Sequence, residues 1–229
     1  MQPRTRKKLA QLALDLAPRR TGPGGPRAGA GRPRGRNVAH GPRPFLKRRE
    51  PQHVTLRLAD GVPSIRRDTT HEVIKRAIRA KSGGDAFRVV HFHILSNHVH
   101  LLVEATTKQV LGNSMQGLNV RIARNCNKRL GRRGRFFRER YHVRALVTPT
   151  EVRSCLRYVL LNSDMHLLRA GARYLTYACD RYSSAAWFED WDDERWRYYR
   201  DTGPPGIAPP RTWLLRDGWM CAGGPISFS

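Results

Sequence analysis

The chain has 229 residues, which is enough for one domain with tails or for two small domains. Its 43 Lys and Arg residues stand against 18 Asp and Glu, so the formal net charge is +25. A charge of this sign and size favours a polyanionic partner, either nucleic acid or an anionic membrane surface, and excludes basic ligands. No run of about 18 apolar residues occurs, so no membrane-spanning helix is predicted.

The first 50 residues are rich in Arg, Pro and Gly and are predicted to form a disordered basic arm, because they cannot bury enough apolar surface to fold. Residues 9–17 have the leucine spacing of a short amphipathic helix, for which contact with a membrane surface is a minor alternative. Residues 31–36, GRPRGR, resemble an AT-hook, although a tail that raises nonspecific DNA affinity is the simpler interpretation. The four cysteines are widely separated, which argues against a zinc ribbon or a disulfide framework and favours a reducing cytoplasm.

The folded part is predicted to begin near residue 53 with alternating strands and one amphipathic helix. Residues 53–59 alternate and are rich in β-branched side chains, which predicts a strand. Residues 70–81 place their apolar side chains on one helical face. Two further strands follow over 87–95 and 98–105, joined by a tight turn at Ser96 and Asn97.

The next segment is predicted to form a long helix, a basic loop, a fourth strand and a third helix. Apolar residues recur every three or four positions over 110–130, LGRRGRFFRER (130–140) is the loop, and 141–147 is the strand. The third helix opens at Thr148, which can cap it, and Glu151 completes a capping box.

This element order predicts an α+β protein with a ferredoxin-like (RRM-like) split βαβ core, in which helices pack on one face of an antiparallel sheet and the other face is open. The predicted domain covers 51–170, after the arm of 1–50. Residues 171–229, rich in Trp, Tyr and Pro, are predicted to form a small extension packed on the core.

Four histidines lie in residues 91–104, HFHILSNHVHLLVE, in two His-x-His pairs. Residues at i and i+2 of a strand point to the same face about 7 Å apart, so either pair could share one metal ion. His98 and His100 begin a strand directly after a turn, which leaves the remaining positions of an ion open to substrate, as a catalytic metal requires. His91 and His93 lie in mid-strand and are interpreted mainly as residues supporting the ligands or as polar residues facing DNA, with direct ligation as the minor alternative.

NHVHLL, a long basic helix and then RYVLLN together resemble the HUH single-tyrosine (IS200-like) transposases, particularly the REP-associated tyrosine transposases of bacteria. The resemblance covers roughly residues 45–190. It implies that His98 and His100 bind Mg²⁺ or Mn²⁺, that Tyr158 is the nucleophile and that Asn162 is a third metal ligand. The chain departs from the family pattern at Ser96, where a proline is common, and after Asn162, where Ser replaces the usual Pro.

The resemblance implies that the chain cleaves and rejoins single-stranded, hairpin-associated DNA through a 5′-phosphotyrosine, in the bacterial cytoplasm close to the nucleoid, as a monomer or homodimer. A phenol suits this reaction because it ionises more easily, and leaves more readily, than an aliphatic alcohol. Basic residues of the long helix and the loop, with one tyrosine, are the candidates for DNA contact. These candidates are Arg121, Arg124, Lys128, Arg132, Arg133, Arg135, Arg138, Arg140 and Tyr141.

Several alternatives remain open on the sequence alone. Tyr141 is the rival nucleophile, and Phe136 and Phe137 could stack on bases or pack in the core. A catalytically inactive, domesticated hairpin-binding protein of the same fold would bind DNA without forming a covalent adduct. A metal-dependent nuclease that uses water would cleave DNA without needing Tyr158.

Overall fold

The computed structural model describes residues 50–169, 179–194 and 205–227, with the single residues 47, 197 and 203; the side chains of 162–169 are not described. The predicted basic arm, apart from Lys47 and Glu50, therefore lies outside the described residues, as do its AT-hook-like and amphipathic segments.

Four strands form one antiparallel sheet in the order β2-β3-β1-β4. The strands are β1 (Gln52–Arg57), β2 (Phe87–Ile94), β3 (His98–Ala105) and β4 (His142–Ala145). Strand β1, the first in the chain, lies inside the sheet between β3 and β4, so each connection that carries a helix crosses over a neighbouring strand. This topology confirms the predicted ferredoxin-like core.

Two helices, α1 (Asp68–Ser82) and α2 (Lys108–Arg129), pack on one face of the sheet. The apolar stripe predicted for each helix is buried. In α1 it comprises Val73, Ile74, Ala77 and Ile78, and in α2 it comprises Leu111, Met115, Leu118, Ile122 and Cys126. The side chain of Thr107 caps α2 by accepting a hydrogen bond from the backbone N–H of Val110.

A β-bulge in β2 breaks the simple alternation expected for this strand. The register against β3 shifts between Val89 and His91. Val89 and Phe92 therefore pack with α1 and α2, while Val90 joins the apolar cluster on the opposite face. The extra residue thus places Val90 and His91 on the same face of the sheet.

The second face of the sheet is covered, contrary to the open face that was expected. Helix α3 (Pro149–Arg169) lies across it, and Val152, Leu156 and Val159 pack there. The physical reason is that Val90 and Leu102 present apolar surface on this face that must be shielded from water. The predicted capping box is present, because the Glu151 N–H donates to the Thr148 hydroxyl (3.2 Å) and the Glu151 carboxylate accepts from the N–H of Val147 (2.8 Å).

The described parts of the C-terminal extension pack beside α3 and along the sheet edge. Phe188, Trp191 and Trp219 are buried in the same cluster as α3. The described residues of the extension form the 3₁₀ turns Ala185–Trp187 and Gly218–Ala222 and the short helix α4 (Trp213–Arg216).

The segment around Ser183 runs antiparallel to β2 and hydrogen-bonds to it. The N–H of Ile94 donates to Tyr182 O (2.8 Å), and the N–H of Ser184 donates to Phe92 O (2.9 Å). The extension therefore covers part of the exposed edge of β2. Within the described part of the chain, no helix is long and apolar enough to cross a membrane.

Candidate active site

His98 and His100 open strand β3 on the face that α3 covers. His98 is half-buried, His100 is buried, and their ring centroids lie 4.6 Å apart with the planes nearly perpendicular. Both rings therefore occupy one small volume, as the i, i+2 spacing predicted.

Helix α3 brings Tyr158 to this histidine pair. Its hydroxyl lies 3.2 Å from Nε2 of His100, and the two ring centroids are 4.9 Å apart. The buried stripe of α3 leaves Tyr158 at its margin, where the side chain is 42% exposed and thus accessible to a large substrate. The structure therefore brings Tyr158 together with His98 and His100.

The Nδ1 atoms of both histidines are engaged by neighbouring side chains. Nδ1 of His98 is 2.6 Å from the Oδ1 of Asn97. Nδ1 of His100 is 3.0 Å from Nε2 of His53 and 3.2 Å from the Thr55 hydroxyl. Imidazoles that ligate a metal commonly bind through one nitrogen while a neighbour holds the other. Two imidazoles whose Nδ1 atoms are held in this way are donors of the kind that bind divalent cations through Nε2.

The third ligand implied for the cation remains a prediction. The backbone of Asn162 lies in α3 one turn after Tyr158, but its side chain is outside the described residues. Among the residues that the structure describes, no group of three or more His, Cys, Asp or Glu side chains is placed to hold a metal ion.

Strand β1 contributes residues to the site that the sequence patterns did not reveal. His53 stacks on His100 with ring centroids 5.1 Å apart, and Thr55 lies directly opposite His100 in the sheet. Burial, followed by the nearby His142 and Arg144, lowers the pKa of His53 to about 4, so this imidazole is neutral at physiological pH. The only available signal was that His53 and Thr55 share a strand face, which by itself predicts no function.

A cleft of about 430 Å³ opens beside Tyr158, between α3 and the β1–β4 edge. Its walls include His53, Arg144 and Ser154. Arg144 is paired with Glu151 but is largely exposed. The cleft thus places a guanidinium on the same surface as the Tyr158 hydroxyl.

His91 and His93 are buried, so the alternative in which they are polar residues facing DNA is wrong. Nδ1 of His91 contacts the Ser184 hydroxyl at 3.1 Å, and burial lowers the pKa of His91 to about 4. Nε2 of His93 lies 2.8 Å from the carboxylate of Asp180, with no part of the His93 side chain exposed. Both partners come from the C-terminal extension, so the strand pattern alone did not predict this burial.

The basic residues of α2 lie on the sheet face opposite the histidine pair. Arg121, Arg124 and Lys128 are exposed. A groove of about 430 Å³ between α1 and α2 collects much of this charge; it is lined by Val73, Arg76, Ala77, Arg121, Asn125, Lys128 and Arg129. No carboxylate is among these lining residues, so the groove is strongly electropositive.

The basic loop after α2 docks at the end of the sheet that carries His98. Leu58 bridges to Phe137, and the N–H of Arg138 donates to Arg57 O at 2.9 Å. Because Arg57 is the register partner of His98, the loop lies one strand away from the histidine pair.

The loop arginines differ in what their side chains do. Arg132 donates to Asn127 Oδ1 (3.0 Å) and so braces the loop, and Arg135 Nε donates to Phe137 O (2.9 Å). Arg133 is exposed, whereas Arg138 and Arg140 are partly buried. The loop therefore uses part of its charge to hold its own shape.

Phe136 and Tyr141 belong to the core, and Phe137 packs against it. Tyr141 is 5% exposed, so its proposed contact with DNA is corrected: its ring packs in the cluster beneath α1 and α2. Phe136 is buried as well, and Phe137 packs edge-on against it, which favours core packing over base stacking. The arginines next to these rings in the sequence had suggested exposure.

The fold and this grouping of residues define an α+β protein with a ferredoxin-like core and a histidine–tyrosine site on one sheet face. Residues 53–160 match the family described as IS200-like transposases. The match covers 108 of the 229 residues, so residues 53–160 form a domain similar to that family. No curated protein is significantly similar to it in sequence.

The solved structures that resemble the chain include the following two. One is a REP-associated tyrosine transposase bound to a REP hairpin, with a TM-score of 0.50 and 12% identity over 64% of this chain and 82% of that chain. At this identity the similarity shows the fold alone. The other is a bacterial tRNA(His) guanylyltransferase-like protein in complex with GTP, with a TM-score of 0.43 and 10% identity over 58% of this chain and 71% of that chain, a similarity too weak to bear on function.

Proposed function

We propose that the chain is a divalent-metal-dependent transposase that cleaves and rejoins single-stranded DNA next to a hairpin, through a 5′-phosphotyrosine on Tyr158. The observation that carries the proposal is the 3.2 Å separation between the Tyr158 hydroxyl and Nε2 of His100. A tyrosine in this position is exposed enough to attack a phosphodiester and close enough to a ligand to react beside a bound cation. The match of residues 53–160 to the IS200-like transposases supports the same assignment.

In the proposed reaction the phenol oxygen of Tyr158 forms a bond to phosphorus while the bond to the 3′-oxygen breaks. The phenol loses its proton and the departing 3′-oxygen gains one, so the products are a 5′-phosphotyrosine and a free 3′-OH. Because one phosphodiester replaces another, the reverse reaction rejoins DNA without an external energy source.

His98 and His100 would hold the cation, with Asn162 as a proposed further ligand. The bound cation would polarise a nonbridging phosphate oxygen and neutralise the charge that grows on it. Two neutral imidazoles are softer donors than carboxylates, which favours Mn²⁺ over Mg²⁺ at this site. Arg144, which lines the cleft beside Tyr158, would contact a phosphate of the bound DNA.

Two separate basic surfaces would bind the DNA. The loop that includes Arg133 and Arg135 lies at the histidine end of the sheet and suits the strand that enters the site. The groove between α1 and α2 lies on the opposite face and suits the phosphates of a second segment, such as a hairpin stem. The solved transposase of similar fold holds a REP hairpin, which supports hairpin DNA as the substrate class.

The test is to incubate the full chain with a single-stranded hairpin oligonucleotide and Mn²⁺ and to look for a protein–DNA band that survives denaturation. We expect the band with the wild type and with Tyr141→Phe, but not with Tyr158→Phe. Tyr141→Phe is the matched control, because it removes one buried phenol hydroxyl from a ring that packs in the core.

The alternative functions give different results in the same assay. Hairpin binding of equal strength with and without Mn²⁺, together with no adduct, would identify an inactive binding protein. Cleavage that persists in Tyr158→Phe would identify a nuclease that uses water. An adduct lost only with Tyr141→Phe would mean that the wrong nucleophile has been assigned.

A further inference from the structure

We propose that His53 is a positioning residue: it accepts a hydrogen bond from Nδ1 of His100 and thereby holds His100 in the tautomer whose Nε2 lacks a proton. The consequence for cation binding rests on the proposed function, whereas the tautomer itself does not. Neither the family match nor the similar structures assign a role to His53.

The sheet fixes His53 against His100. Thr55 is the direct register partner of His100, and His53 lies two residues earlier on β1, on the same face. The two imidazoles stack with an interplanar angle of 30° and a centroid separation of 5.1 Å. The resulting contact between Nε2 of His53 and Nδ1 of His100 is 3.0 Å, a good hydrogen-bond distance.

The contact on the other side of the His100 ring decides which nitrogen of His100 carries the proton. A phenol hydroxyl is a better donor than acceptor, so Tyr158, 3.2 Å from Nε2 of His100, donates to that nitrogen. A neutral imidazole then carries its one proton on Nδ1. That proton needs an acceptor, and the ring nitrogen of His53 is nearer than the hydroxyl of Thr55, which lies at 3.2 Å.

The tautomer matters because only an unprotonated Nε2 can receive the Tyr158 hydrogen bond or donate a lone pair to a cation. If Nε2 carried the proton, it could do neither. His98 is held in the corresponding way, with its Nδ1 against the Oδ1 of Asn97. Asn97 and His53 would therefore perform the same task for the two histidines, one from the preceding turn and one from the neighbouring strand.

The experiment uses the full chain labelled with ¹⁵N-histidine and free of metal, and it reads the tautomer of His100 from its imidazole ¹⁵N shifts. We expect the Nδ1–H form in the wild type. We expect His53→Gln to retain it, because the amide oxygen can accept in place of Nε2, and His53→Leu to give a mixture. His142→Gln is the control for losing an imidazole near His53, since His142 is exposed on β4 and lies opposite Thr55.

Mn²⁺ titration of the same four proteins provides the second measurement. The dissociation constant should rise about 10–100-fold in His53→Leu and only slightly in His53→Gln and His142→Gln. An Nε2–H tautomer of His100 in the wild type would overturn the inference, and this result does not depend on any variant folding. So would a His53→Leu protein that keeps both the tautomer and the Mn²⁺ affinity.

The two proposals fail in distinguishable ways. If the wild type shows the Nδ1–H tautomer but neither binds Mn²⁺ nor forms a DNA adduct, the positioning role stands and the proposed reaction is wrong. If the adduct forms while His100 carries its proton on Nε2, the reaction stands and the role of His53 is wrong.

Discussion

The buried carboxylate of Asp180 fastens the C-terminal extension to the sheet, and replacing it with Asn tests how much this contact stabilises the fold. The side chain is 6% exposed and receives two hydrogen bonds from Arg66 (2.8 and 3.1 Å), one from the backbone N–H of Tyr182 (3.0 Å), and a 2.8 Å contact from His93. Asn has the same shape as Asp but no charge. Its NH₂ group is a hydrogen-bond donor and would face the N–H donors that now contact the Asp180 carboxylate.

Breaking a buried ion pair by removing one partner costs about 3–5 kcal/mol. Because Asn retains some of the hydrogen bonds, we expect the lower end, about 3 kcal/mol at pH 7. For a domain of this size each kcal/mol lowers Tm by about 2–4 °C. The predicted loss in Asp180→Asn is therefore about 6–12 °C, measured by calorimetry.

The stability difference between wild type and Asp180→Asn should also depend on pH. Burial raises the pKa of Asp180, but the hydrogen bond and charge of His93, with the contacts from Tyr182 and Arg66, outweigh burial and hold the pKa well below its usual range. A carboxyl whose folded pKa is depressed stabilises the fold above its unfolded pKa of about 4, and this contribution is lost as the pH falls below that value. The gap between wild type and Asp180→Asn should therefore be full at pH 7 and narrow below about pH 4.

Asp60→Asn is the control, since its side chain is 89% exposed and lies 3.8 Å from Arg138. We expect this change to alter stability by less than about 0.5 kcal/mol. Equal Tm values for wild type and Asp180→Asn at pH 7, or a gap that stays constant down to pH 3, would refute the reasoning.

Three further predictions concern the thiols, the DNA-binding charge and the cap of α3. Burial raises the pKa of Cys155 to about 12, so iodoacetamide should label exposed Cys221 in the native protein and Cys155 only after unfolding; rapid native labelling of Cys155 would contradict its burial. Replacing Arg121 or Lys128 with Ala should weaken DNA binding and reduce the slope of log K against log salt by about 0.9 for each phosphate that the side chain neutralises. An unchanged slope would show that the residue does not contact a DNA phosphate. Glu151→Ala should destabilise the fold by about 1 kcal/mol through loss of the capping box, seen as a Tm lower by about 2–4 °C, whereas an unchanged Tm would show that the cap contributes nothing.

The elements of the core were predictable because their apolar residues recur with the period of each element. The strand over 98–105 and the stripe of α2 are local patterns, and the structure reproduces both. The bulge at Val90 was not predictable, because it depends on how β2 pairs with β3. The short apolar sequence of β2 contains no pattern that indicates it. The covered second face depends on packing between Leu102 and residues far along the chain.

The site was predictable only in part for the same reason. His98, His100 and Tyr158 stand in a motif that resembles a known family, and the fold brings them together. His53 carries no local signal, because a single histidine on a strand is commonly a polar residue without a special role. Tyr141 was misjudged, because its basic neighbours in sequence suggested exposure and only tertiary packing buries its ring.

The most direct test of the central claim is to identify the residue that carries DNA after the reaction. The adduct formed with a hairpin oligonucleotide and Mn²⁺ would be digested with nuclease and trypsin and analysed by mass spectrometry. We expect a phosphorylated or nucleotide-bearing Tyr158, in a peptide that ends at Arg169. The modification on the peptide of Tyr141, or no modified tyrosine in a sample that has cleaved its DNA, would contradict the assignment of Tyr158 as the nucleophile.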